Sequence, residues 1–156
     1  MEIDKEKFKE TKERARKLFE KNNKVFCPYF NADIVLNSDG FHHLQFSARR
    51  ERGKAEQLLK FNLLSLALNI IKKSGTVQEY RKTIQPFGKK KNDGFTLMKK
   101  VYFWAFIAII GEERKIKIKT VVKKIGDGNI IFWSVMPYLK LKSGQKLYSD
   151  DIEDNI

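Results

Sequence analysis

Three apolar segments close the chain, VYFWAFIAII, KIKIKTVVKKI and IIFWSVMPYL, with only GEER and GDGN between them. Connections this short join antiparallel neighbours, because parallel strands need a crossover of a dozen or more residues. Asp127-Gly128 suits the second turn, since both residue types tolerate the positive φ of a tight hairpin. The C-terminal third is therefore a three-stranded meander.

Helices come before it. Residues 4–21, DKEKFKETKERARKLFEK, place Phe8, Ala15, Leu18 and Phe19 on one stripe of a solvated helix, with Asn22 and Asn23 as terminators. From Glu51 to Lys73, leucines and isoleucines recur at three- and four-residue spacing, marking a buried central helix that ends at Ser74-Gly75. Between these helices a short strand is expected near Ile34 to Leu36, then a turn at NSDG, then a second short strand, FHHLQF. TVQEYRKTIQ reads as a further short helix and PFGKKKNDGF as a loop. The expected fold is α+β, with N-terminal helices packed on a C-terminal antiparallel sheet. One basic domain spans residues 1–148, and residues 149–156 form a loose acidic tail.

Side-chain alternation then assigns faces. A two-residue turn at Asp127-Gly128 sets Lys123 opposite Phe132, Val121 opposite Ser134 and Lys119 opposite Met136, with Val122, Trp133, Thr120 and Val135 on the core side. Taking GEER as the preceding loop adds Phe103, Ala105, Ile107 and Ile109 to the core face. Tyr102, Trp104 and Phe106 then join Lys117, Lys119, Lys123, Phe132 and Ser134. Lysines neutralise phosphates and aromatic rings stack on unpaired bases, so such a face suits single-stranded or looped RNA. A merely solvated sheet carries lysines too. The balance of charge favours binding: 32 Lys and Arg against 19 Asp and Glu leave +13 on 156 residues. An anionic membrane surface or an acidic protein ranks behind nucleic acid as the partner.

The two histidines of the chain are adjacent, in GFHHLQF. On a strand, His42 travels with Leu44 and Phe46 toward the core and His43 with Phe41 and Gln45 toward the mixed face. His43 is thus the histidine available for chemistry. Arg49, Arg50 and Arg52 stand at a helix N-terminus, where the dipole favours acidic groups, and so hint at an anion site. One cysteine and two histidines leave a Cys/His zinc site short of ligands, and no cofactor is implied. With Cys27 as the lone cysteine, no apolar run near the roughly 18 residues of a membrane span and no secretion signal, a cytoplasmic setting is expected.

Three patches carry a family resemblance: GFHHLQFSARRERGKAEQLLKFNLL, KIKIKTVVKKIGDGN and IIFWSVMP. Together they resemble a prophage and mobile-element protein family of the barnase–EndoU–colicin–RelE-like ribonuclease superfamily. The matching features are a His-Leu pair with spaced basic residues before an EQL helix, a basic strand closing on a Gly-x-Gly-Asn hairpin, and an aromatic-aromatic-Ser strand. Ala48 and Arg49 depart from the glycine-containing basic stretch of that pattern, and GKKKNDG has no counterpart in it. The resemblance implies helices packed on an antiparallel sheet of about four strands, and a compact, metal-independent RNA endonuclease, toxin-like or acting in host interference. It carries His43, Lys119, Lys123 and Ser134 over as site residues.

The chemistry suits these residue types. Histidine can move a proton near neutral pH, cations stabilise phosphoryl charge, and serine can donate a hydrogen bond to phosphate. His43 is the expected acid or base, Lys119 and Arg81 the phosphate clamps, and Ser134 the donor. Arg49, Arg50, Arg52, Lys117, Lys123, Tyr102, Trp104 and Phe132 are the expected RNA contacts. Expected partners are tRNA or another structured RNA and an acidic antitoxin or immunity protein, with no membrane. A non-catalytic nucleic-acid-binding module, or a basic adaptor for an acidic protein, are the alternatives.

Overall fold

The structure, a computed structural model, describes residues 3–111 and 116–138. Nine elements follow in chain order: α1 (Lys5–Lys21), β1 (Lys24–Cys27), β2 (Ala32–Val35), α2 (Ser38–Gln45), α3 (Lys54–Lys73), β3 (Glu79–Phe87), β4 (Leu97–Ile110), β5 (Ile116–Ile125) and β6 (Ile130–Pro137). The strands form one sheet in the order β1-β2-β6-β5-β4-β3. All neighbours are antiparallel except β2 and β6, which meet in parallel at Val35 and Ile131. The fold is α+β as expected, with the N-terminal hairpin β1–β2 extending the sheet to six strands.

Helix α1 begins where the Asp4 carboxylate accepts the Glu6 N–H at 3.0 Å, and ends where the Asn22 N–H returns to the Leu18 carbonyl. Its stripe packs with α3 on one face of the sheet. Ala15, Phe19, Phe61, Leu64, Leu68 and Ile71 meet Phe106, Ile118, Val122, Phe132 and Val135 there. A second buried cluster, Val101, Phe103, Ala105, Val121 and Met136, contains no residue of α1 or α3. It occupies the other face of β4, β5 and β6, because residues paired across a ladder share a face.

Five expectations are corrected. FHHLQF is not a strand: it lies mostly within α2, with Phe46 as the C-cap. The Asn37 side chain accepts the Gly40 N–H at 3.0 Å and caps that helix, so NSDG is a helix start rather than a hairpin turn. Six alternating residues cannot separate a strand from a short helix, and the cap decides. Asn37→Ala should cost about 1 kcal/mol in urea unfolding.

TVQEYRKTIQ is not a helix either. Glu79 to Phe87 form β3, an edge strand paired along its whole length with the 14-residue β4. Here a long partner overrides a weak helical pattern.

The other two corrections concern register. The β4–β5 ladder closes on Ile110 opposite Ile116, leaving residues 111–115 between them, one more than the GEER loop allows. A slip of one residue reverses every side chain. Phe103 and Ala105 therefore share the face of Lys119 and Lys123, while Trp104 and Phe106 turn to the helices. A bulge in the β5–β6 ladder then sets Phe132 opposite Val122 and leaves Trp133 as the extra residue. Val121 does face Ser134, and Lys119 does face Met136.

No helix among the described residues is long and apolar enough to cross a membrane. The expected acidic tail at 149–156 lies outside the described residues.

Candidate functional site

The sheet face without α1 and α3 gathers four of the expected residues. Register sets Arg81, Phe103 and Lys123 in one row, Glu79, Ala105, Val121 and Ser134 in the next, and Ile107, Lys119 and Met136 in a third. Lys119 is fully buried, and its Nζ lies 2.6 Å from Glu79 Oε2. Such a charge can be held in the interior only with a partner of this kind. Lys123 Nζ sits 3.9 Å from the centroid of the Trp133 ring and 5.5 Å from that of Phe103. Burial pushes its pKa down, and Asp39 on α2 opposes that shift. Arg81 stands exposed on β3.

His43 reaches the same place from α2. Its ring stacks on Trp133 with centroids 4.2 Å apart and planes 17° apart. This follows from Gly40, which lets the helix lie against β6. His43 is buried, while His42 is exposed and stacked on Phe46, the reverse of the expected assignment. The reason is periodicity: consecutive residues on a helix point about 100° apart, with no strand alternation to follow.

Arg52 holds His43 from behind. Its Nε donates to the His43 carbonyl at 3.0 Å, Nη1 to Glu56 Oε1 at 3.1 Å, and Nη2 lies 3.1 Å from His43 Nε2. A guanidinium has no acceptor, so in this contact Nε2 can only accept. Burial works against the Arg52 charge, and Glu56 supports it.

Ser134 is also engaged. Lys60 Nζ donates to its Oγ at 2.9 Å and to the Val135 carbonyl at 3.0 Å. Burial first, and then Arg52, lower the Lys60 pKa to about 7. Neither Lys60 nor Trp133 is among the sequence-predicted site residues. Lys60 had a signal, since it lies in the buried stripe Gln57, Lys60, Phe61, Leu64, where a cation is out of place. Trp133 had none, because only the bulge turns it toward His43.

The remaining expected contacts disperse. Arg49 and Arg50 are exposed on the loop before α3, folded by Ser47, whose Oγ accepts the Arg50 N–H and donates to the Arg50 carbonyl. Of the three arginines only Arg52 is buried in the cluster. Glu56 in the first turn of α3 lies 3.8 Å from Arg50 and 3.1 Å from Arg52, which offsets the unfavourable dipole. Lys117 is exposed, with Nζ 4.6 Å over the Tyr138 ring. Tyr102, Trp104 and Phe132 are on the opposite face from Lys119 and Lys123. Phe132 is buried, packed edge-on against Phe19 at 5.7 Å.

Among the described residues no group of three or more His, Cys, Asp or Glu side chains could hold a metal ion. No family model, no curated protein and no solved structure matches the chain.

Proposed function

We propose that the protein is a metal-independent RNA endonuclease whose centre is the rim of β6. One observation carries this: His43, Lys123 and Ser134 gather around Trp133, with Lys119 and Arg81 on the same sheet face. Cleavage by 2′-OH attack needs a proton acceptor, a proton donor and positive charge on the phosphoryl oxygens. His43 serves as acid or base. Lys123 and Arg81 carry the charge, joined by Lys119 where phosphate displaces Glu79, and Ser134 donates its hydroxyl proton while its oxygen accepts from Lys60. Single-stranded or looped RNA is the substrate class, since only there can the ribose reach an in-line geometry freely. An acidic protein is the class of neutralising partner that a net charge of +13 suits.

A specific observation favours the rival, a nucleic-acid-binding module without catalysis. Two of the groups that would react are engaged within the protein: His43 Nε2 by Arg52 and the Lys119 ammonium by Glu79. Incubating tRNA and a structured RNA with the protein in EDTA separates the two. The endonuclease yields fragments ending in cyclic phosphate. His43→Gln, chosen to keep the volume, lowers the rate by about a hundredfold or more and leaves binding intact. Intact RNA under all conditions, with binding that weakens about tenfold or more from low to physiological salt, establishes the module instead.

A further inference from the structure

Beyond the end of the helical layer, the opposite face of the β3–β4–β5 ribbon is open, and it carries an ordered set of rings and cations. Tyr80 pairs with Trp104, Lys82 with Tyr102 and Tyr102 with Lys124, and Ile84 with Lys100, so all seven side chains share that face. The Trp104 ring lies 5.8 Å from Tyr80 and 5.9 Å from Tyr102, the latter pair only 16° from parallel. Phe30 packs edge-on against Trp104 at 4.9 Å and fixes the inner end of the run. Lys82 Nζ is 5.9 Å from the Tyr102 ring centroid. Tyr80 is 55% exposed and Ile84 63%, so the outer end is free to contact a ligand. A groove lined by Lys99, Lys100, Tyr102 and the β5–β6 turn continues from it.

We infer that this ladder is a binding platform for single-stranded nucleic acid, separate from the cleavage centre on the other face. Rings in succession offer stacking surfaces to successive unpaired bases, whatever their sequence. Lys82, Lys100 and Lys124 flank the rings at neighbouring strand positions, where they can meet the phosphates on either side. A duplex hides its bases and would gain only the charge. An acidic peptide would use the lysines but leave the ring run without purpose. No carboxylate belongs to the ladder itself; Asp127 lines the neighbouring groove.

An oligodeoxythymidine of about ten nucleotides tests this independently of catalysis, because it has no 2′-OH to attack. In fluorescence anisotropy it should bind more tightly than a duplex of equal length. Tyr80→Ala and Tyr102→Ala should each weaken it by about fivefold or more. Lys82→Gln and Lys124→Gln should each reduce the slope of log affinity against log salt by about 0.7, and Lys9→Gln, exposed on α1, should weaken binding no more than loss of any distant charge. Tyr80 is exposed enough that its alanine variant folds, so the test stands if Tyr102→Ala does not. Wild-type affinity in Tyr80→Ala, or a preference for the duplex, overturns the platform.

Discussion

Gly40→Ala is expected to lower the stability of the protein by about 3 kcal/mol, near the top of the range for single overpacking changes. A methyl group at Gly40 would lie 2.3 Å from the Phe132 carbonyl oxygen and 3.5 Å from Phe19 Cε1. The first neighbour is backbone of β6 and cannot rotate away. Helix α2 must therefore rise off the strand. His43 would leave Trp133, and Lys123 would lose the carboxylate of Asp39 from its vicinity. Urea unfolding measures the loss, and Trp133 emission reports the lost stack. Gly75→Ala meets nothing within 4 Å and serves as a control, with a change within about 0.5 kcal/mol. A Gly40→Ala protein as stable as this control would mean that α2 does not lie on β6 as described.

The second large effect is a pH dependence centred on Lys60. Its pKa is about 7 in the fold, against 10.5 when the chain is unfolded and the amine is solvated. Between those values the unfolded chain holds a proton that the folded chain has released. Stability therefore rises with pH across that window, and below pH 7 the full cost of burying the ammonium is present. Lys60 alone should contribute a gain of about 3 kcal/mol between pH 7 and pH 9.5. Lys60→Met removes the titrating group but also leaves the Ser134 hydroxyl and the Val135 carbonyl without their donor. Its stability at one pH mixes both effects. The difference in slope between wild type and Lys60→Met isolates the titration. Parallel pH profiles would show that the Lys60 amine stays charged in the fold.

The same amine bears on catalysis. Ser134 Oγ accepts from Lys60 and keeps its hydroxyl proton for phosphate, so Lys60 orients the donor that the ligand would meet. Lys60→Met should then change RNA cleavage and its pH profile together, whereas a purely structural Lys60 would change stability alone.

Long periodic segments were legible without coordinates. The stripe of α1 and the leucine rows of α3 declare helices, because burying one face needs apolar residues every three or four positions. Three apolar runs joined by short turns declare a meander for the same reason of reach. Shared faces were legible where one turn sets the register, as at Val121 opposite Ser134 and Lys119 opposite Met136. Arg81, Lys119, Lys123 and Ser134 come to one face, as the candidate site requires. Tyr102 and Trp104 were rightly associated with lysines but with the wrong ones, Lys82, Lys100 and Lys124 being their true neighbours.

What the amino-acid order determined by itself is element type over long segments and a strongly basic surface, both summed over many residues and insensitive to a single error. Tertiary structure alone decided the rest. One extra residue between β4 and β5, one bulged residue at Trp133 and one capped turn at Asn37 each change which way side chains point. Each turns on one or two residues whose preference is worth about a kilocalorie or less. The packing of α2 on β6 and of β3 on β4 outweighs such preferences, and it also sets which histidine is buried and what Lys60 touches.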